Sequence, residues 1–496
     1  MGHRSRTLNT PIYDFVNAYI GKNSVRAHMP GHKGMEFTGG EARDITEIAG
    51  ADILADSTGI LGESQRNASR LFRTGATLYS TEGSSLAIKA MLYCALLKWR
   101  SDMHLKEPPA CRPVVLAGRN VHRAMIDGCA LLDLDVEFIR TDEEQGLCRV
   151  SINPQRVEEE VRHLGQRLAA VYVTSPDYLG GQCDIAGLAK VCHAQNVPLL
   201  VDNAHGAYLA FLDSVKSVSK SETKDADLEI LKLHTSAHPI ALGADMCCDS
   251  AHKTLPVLTG GAYLHLHHRV SGTLEEAARK GMALFGSTSP SYLILQSLDY
   301  CNYYLDSSFK RELAECVRKI GQVKEKMRCS GIEVMEGEPL KLVIHTASLG
   351  YHGEEIAEEM REFVAEVSGE CRRGIECEFA DREYVVLMMT PQNRESDWTV
   401  LNQWIGSTRL CRRRNPLDSE CGFPWKTPVR RMGIRQAVLS ASETVPVQKA
   451  VGRILAQETV SCPPAVPIVI SGEEITQEAV ELFLRYGIEE VSVCRE

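Results

Sequence analysis

No two of the 17 cysteines are spaced as C-x-x-C, so the chain carries neither a zinc knuckle nor a thioredoxin-type redox motif. Their number is odd in a long chain, and they read as free thiols in a reducing cytosol. A run of about 18 apolar residues is also missing, and Met1 to Arg6 lead into polar sequence without an apolar stretch. Neither a membrane span nor a signal peptide is therefore expected, and a cytoplasmic protein is the default. Excess basic charge is absent too. The net charge is −10, and the densest basic run is only Arg412 to Arg414, which argues against a nucleic-acid or anionic-membrane partner. Internal repeats and low-complexity tracts are not found.

What is present is the composition of a globular protein, 44% hydrophobic and 24% charged over 496 residues. At roughly 150 residues per domain, this length suggests two to four domains. Residues 1–35 hold little periodicity and contain Pro11, Pro30, Gly31 and Gly34, which reads as an arm packed on something else. Residues 36–305 alternate short apolar runs with helical stretches and form the large domain. Residues 306–405 read as a smaller α+β domain, with strands at 340–345, 375–379 and 384–389 and a helix over 354–367. Residues 406–496 form a last module, punctuated by Pro and Gly, in which a fixed loop is expected around Ser461 to Glu473.

The alternation in the large domain predicts an α/β fold with a mostly parallel central sheet covered on both faces, which binds ligands at the carboxyl ends of its strands. Chemistry-bearing residues fall at those ends. His122 follows the strand at 113–117, and Asp177 with Tyr178 follows 169–173. Asp202 with His205 follows 197–201. A largely apolar run from Ala244 delivers Ser250, His252 and Lys253. Gathered along one edge, they make a candidate active site.

Lys253 can be a surface lysine at a strand end. Carried out of a buried strand, it becomes an amine whose ammonium form is disfavoured, as an imine-forming lysine requires. Ser84 and Ser85 open the long helical run from Leu86 to Trp99. They serve as caps or, with the positive end of the helix dipole, as a phosphate cradle. The cluster His265 to His268 overlaps a strand predicted over 260–266, and His265 and His267 at alternate positions share a face, but no carboxylate or cysteine is spaced to complete a metal set, so no metal is expected. An imine-forming lysine, an aspartate, an imidazole suited to stacking and a phosphate cradle together match the needs of pyridoxal 5′-phosphate.

These residues stand in motifs that resemble, in order and over nearly the whole chain, those of the bacterial Orn/Lys/Arg decarboxylases. The motifs are His28 to Gly34, Asp44 to Glu47, Glu82 to Ser85, Arg119 to His122, Asp202 to Gly206, Ser250 to Leu255, Ser287 to Tyr292, and Pro463 to Pro467 with Gly472 and Glu473. The resemblance is to the short form without an N-terminal wing domain. It implies an aspartate aminotransferase-like fold, with Lys253 as the Schiff-base lysine and Asp202 on the pyridine nitrogen. It further implies His122 stacked on the ring, and Ser84, Ser85, Ser250 and Thr288 at the phosphate. His252 and His205 would lie close to the reacting atoms.

Family members are dimers with sites at the subunit interface, which lets Thr288 serve the partner's site. The implied reaction is decarboxylation of arginine, lysine or ornithine to a polyamine-related amine and CO₂. An aminotransferase or other lyase on the same fold, or a non-catalytic binding protein on it, are the rivals. Asp177, Asn203 and Gly260 stand where the family commonly has Thr, an acid and Gln. Glu378 and Asp381 are candidates to meet the substrate's distal cation.

Overall fold

The computed structural model describes residues 8–104, 111–140, 152–212, 238–367, 370–407, 427–462 and 466–495. The basic run Arg412 to Arg414 and residues 463–465 of the proline-rich motif lie outside them.

Four apolar runs become parallel strands because both of their faces are covered, and a fifth, partly exposed, closes the edge of the sheet. β1 (Ala76–Ser80), β2 (Val114–Ala117), β3 (Asp135–Phe138), β4 (Leu168–Thr174), β5 (Leu199–Asp202), β6 (Met246–Asp249) and β7 (Ala262–Leu266) form one sheet in the order β1-β7-β6-β5-β4-β2-β3. β7 runs antiparallel to both of its neighbours; the pairs from β6 through β3 are parallel. The expected strands at 113–117, 136–139, 169–173 and 197–201 and the antiparallel strand near 260–266 are all present, displaced by a residue or two.

Alternate residues feed two cores. Val115, Ala117, Tyr172, Leu200 and Cys248 face the side covered by α3 (Gly83–Asp102) and α4 (Arg123–Leu132). Leu116, Val171, Val173, Val201 and Cys247 face the side covered by α5 (Pro154–Leu164) and α6 (Ile185–Ala194). In this register the carboxyl ends of β1, β2, β4, β5 and β6 share one edge.

The N-terminal stretch differs from expectation. Pro11–Gly21 is a helix, α1, and its proline occupies the first helical turn, where a missing N–H costs nothing. Its cap is supplied from far along the chain, as Ile12 N and Tyr13 N donate to Asp299 Oδ2 at 2.9 and 3.0 Å. Ile12 and Val16 pack into the main core beside Leu295 and Leu298.

Beyond the helix Phe309–Cys329, a four-stranded antiparallel sheet is ordered Phe379–Ala380, Tyr384–Met388, Lys341–His345, Val334–Met335. The helix expected over 354–367 stops at Glu362, and Val364–Val367 pairs with Glu370–Arg373 as a hairpin. The C-terminal region is likewise more regular than a loop. Thr459–Cys462 pairs with Val466–Ile470, Ser442–Pro446 pairs with Glu490–Cys494, and Gln477–Arg485 is helical. Pro446 and Pro467 are tolerated because each ribbon has only two strands, so every strand is an edge.

This region is held to the large domain by a buried ion pair. Arg119 donates to both oxygens of Glu473 at 2.6 and 2.9 Å and to the carbonyls of Pro467 and Ile468. No helix among the described residues is long and apolar enough to cross a membrane. Cys94, Cys129, Cys192, Cys247, Cys248, Cys301 and Cys316 are free thiols buried in the core.

Candidate active site

Lys253 lies on the short helix Ala251–Thr254, immediately after β6. Its Nζ is 3.0 Å from His205 Nε2. Burial lowers its ammonium below the ordinary lysine range, against the opposing pull of Asp202 and Glu378. His205 is buried, and its imidazole is pushed well below the ordinary histidine range, first by burial and then by Lys341 and Lys253. The neutral ring accepts at Nε2, which leaves Nδ1 buried and without a hydrogen-bond partner.

Asp202 closes β5 and is buried. Its Oδ2 accepts from the Tyr172 hydroxyl at 3.2 Å, and its Oδ1 accepts from Ala204 N at 3.1 Å. Asn203, where the family commonly has an acid, donates through Nδ2 to Asp249 Oδ1 at 2.7 Å. Asp249 Oδ2 also meets His238 Nε2 at 2.9 Å and His265 Nε2 at 3.2 Å, all of them buried. Burial alone would raise the Asp249 carboxyl, but His238 and His265 hold it below the carboxylate range. An acid at position 203 would face that carboxylate, so the amide is the residue the network accepts.

His265, read as a plain strand-end histidine lacking a carboxylate partner, therefore has one that its spacing concealed. Thr77 Oγ1 lies 2.8 Å from its Nδ1, and Ile240 N donates to His238 Nδ1. Both Nε2 atoms are then N–H donors to Asp249, so the cluster satisfies itself without an ion.

Ser84 and Ser85 occupy the first turn of α3, where backbone N–H groups and the helix dipole favour an anion. Ser250 Oγ donates to Ser84 Oγ at 2.9 Å, which brings the ends of β1 and β6 together. The turn is shaped by Gly260, whose φ is +97° and whose carbonyl accepts from Gly83 N at 2.7 Å. A Cβ at Gly260 would come within 2.8 Å of the Thr81 carbonyl, which accounts for glycine here.

His122 caps α4, with Nδ1 accepting from Ala124 N at 3.1 Å, and its ring is otherwise exposed along the same edge. Desolvation by the surrounding chain lowers its pKa, with Asp202 opposing and Lys253 adding to the shift. His252 is fixed by Nδ1 on the Gly261 carbonyl at 3.0 Å; a carbonyl only accepts, so Nε2 is left as the acceptor. Burial lowers this imidazole as well.

The Asp177 side chain folds onto its own turn, Oδ1 accepting from Gly181 N at 2.6 Å. Tyr178 donates to Glu378 Oε1 at 2.8 Å and sets its ring edge-on to His205, with centroids 5.1 Å apart. Glu378 is exposed toward this group. Asp381 is not its equal: it is buried, and its Oδ1 accepts from Glu383 N and Tyr384 N, so it closes the turn between two strands.

Thr288 is exposed on a turn tied to Glu82 by Ser287 N, and among the described residues no hydrogen bond joins it to Ser84, Ser85 or Ser250. The histidine-rich turn near residue 30 holds itself together. His28 Nε2 is 2.6 Å from Tyr19 Oη, and His32 Nε2 is 3.2 Å from Asp44 Oδ2.

The structure thus brings Lys253, His205, Asp202, His122, His252, Ser84, Ser85 and Ser250 to one edge. Sequence reasoning missed Tyr172 and Lys341. Lys341 showed the same signal as Lys253, a lysine beside an apolar run. The residues fit pyridoxal 5′-phosphate, since hydroxyls converge on a helix start, an amine is half-buried, a carboxylate is held rigidly, and the buried His205 Nδ1 has no protein partner.

Comparison with known proteins agrees. A family profile described as "Orn/Lys/Arg decarboxylase, major domain" matches residues 10–359, and the C-terminal domain of the same family matches residues 428–489. A protein named arginine decarboxylase from Bacillus subtilis is 26% identical over 509 residues, covering 96% of this chain and 93% of its own length. Another of that name from Bacillus anthracis is 26% identical, covering 98% of this chain and 94% of its own. Among solved structures, the constitutive lysine decarboxylase of E. coli superposes with a TM-score of 0.71 at 16% identity, covering 98% of this chain and 82% of its own. That likeness speaks for the fold.

Proposed function

Because this chain belongs to the Orn/Lys/Arg decarboxylase family, whose members decarboxylate amino acids with pyridoxal 5′-phosphate, we propose that it decarboxylates a basic amino acid, arginine, lysine or ornithine, to an amine of polyamine metabolism and CO₂. One observation carries the reading: Lys253 shares an edge with Asp202 and the Ser84–Ser250 hydroxyl pair, its Nζ 3.0 Å from His205. Lys253 would bind the cofactor covalently, and Ser84, Ser85 and Ser250 would hold its phosphate at the start of α3. Asp202, braced by Tyr172, would keep the pyridine nitrogen protonated, and His122 is the residue that would stack on the ring. When bound, the cofactor supplies an electron sink for the pair released as the carboxylate departs.

The chain's own residues do the rest. His205 accepts at Nε2 from the Lys253 amine, which keeps that amine oriented. Lys253 or His252 returns a proton to Cα; the Gly261 carbonyl on Nδ1 fixes the His252 ring, and its Nε2 has to take up that proton before passing it on. Glu378 meets the distal cation; its exposure and its bond from Tyr178 beside His205 support that assignment over Asp381. We place the active form as a cytoplasmic homodimer, in which Thr288, exposed and unattached to its own serine pair, reaches the partner's phosphate site. CO₂ release assayed with arginine, lysine and ornithine tests the reading. Release from one or more supports it, and amino transfer to a keto acid without CO₂ contradicts it.

A further inference from the structure

Lys341 opens the strand Lys341–His345 of the small domain and is only 2% exposed. Its Nζ donates to the Asp177 carbonyl at 2.8 Å and lies 5.5 Å from the centre of the Tyr178 ring. That ring is bounded by small-domain groups: its hydroxyl is on Glu378, and its edge meets Phe379 with centroids 5.4 Å apart. Its remaining contact is edge-on to His205, whose Nε2 meets Lys253. A buried cation is costly unless it is bonded, and replacing it with an apolar residue is often neutral or better. A buried lysine two contacts from the half-buried Lys253 therefore calls for a reason beyond packing.

We propose that Lys341 is a positioning residue for the Lys253–His205 pair, holding the Asp177–Tyr178 turn against His205. This rests on Lys253 being the cofactor lysine. After burial, Lys341 is the largest influence lowering the His205 imidazole, ahead of Lys253, His122 and His252. Lys341 itself is lowered by burial to about 8, opposed by Glu338, Asp177 and Glu378 and assisted by Lys253. The groups pressing on His205 are Lys341, Lys253, His122 and His252, while Tyr178, bonded to Glu378, faces its edge. With His205 neutral, its Nε2 lone pair stays available to the Lys253 amine, and the pair carries one charge rather than two.

The test is a pH titration of the visible absorbance of the lysine-bound cofactor in substrate-free holoenzyme, with thermal melting alongside. Lys341→Gln removes the charge and keeps a donor for the Asp177 carbonyl; Lys341→Met removes both; Lys341→Arg keeps the charge. Taking away a nearby cation eases protonation, so the titration midpoint is expected to rise by about one pH unit in Lys341→Gln and Lys341→Met and to stay near wild type in Lys341→Arg. Should Lys341→Met not fold, Lys341→Gln carries the comparison. Melting shifts with an unchanged midpoint in Lys341→Gln would make Lys341 a domain anchor and overturn the proposal. A wild-type protein with cofactor bound but no such absorbance would instead remove Lys253 from its role, and this inference with it.

Discussion

Lys253 Nζ and His205 Nε2 stand 3.0 Å apart at the ends of adjacent parallel strands, close enough that the site does not hold both as cations. The amine is therefore oriented by an imidazole that accepts from it. Replacing His205 with Ala is expected to lower kcat by about 10²- to 10³-fold, within the range of a positioned proton-handling group. Cofactor content should change little. Single-turnover kinetics with a spectroscopic measure of bound cofactor checks both.

Glu378, held by the Tyr178 hydroxyl, faces Lys253 and His252. Glu378→Gln keeps the tyrosine contact and removes the charge. It should raise KM for a basic substrate about tenfold, roughly 1.4 kcal/mol, with a smaller effect on kcat. Asp381→Asn should leave KM near wild type. Steady-state kinetics on the two variants separates them.

Arg119 and Glu473 form a bidentate pair buried between the large domain and the C-terminal region. Removing one partner strands the other, so Glu473→Ala is expected to cost about 3–5 kcal/mol. The double change Arg119→Met with Glu473→Leu should recover most of that. Thermal and denaturant unfolding of the three variants tests it.

Burial holds the His205 and His265 imidazoles below the ordinary histidine range. As pH falls below about 6.5, the unfolded chain takes up protons that these buried rings refuse, so stability falls with pH from that point. Asp249, held low by His238 and His265, adds stability that is in place above pH about 4 and is lost as pH falls further. His265→Gln should flatten the melting temperature against pH between about 5 and 6.5 while lowering it at pH 7.5. A series of melts across that range reads the slope directly.

Much of the site was legible because parallel strands bring residues spaced far apart in sequence to one edge, and that needed only the strand order of α/β alternation. Lys253, Asp202, His122 and the serines follow from it. What escaped was set by contacts between distant segments. Pro11 looked like a breaker and is the first turn of a helix capped by Asp299. His265 seemed partnerless because Asp249 lies on the neighbouring strand. The departures at Asn203 and Gly260 answer to Asp249 and to the Thr81 carbonyl, contacts that the sequence does not display. Lys341 was passed over inside an apolar run, although Lys253 had drawn attention for that same pattern.

Lys253 and Lys341 make the central claim directly testable. Holoenzyme is reduced with borohydride, digested, and mapped by mass spectrometry. The account predicts a pyridoxyl mass on the peptide containing Lys253 and none on the peptide containing Lys341, with the label lost in Lys253→Ala. A label on Lys341 or any other lysine, or none in cofactor-loaded wild type, would contradict it.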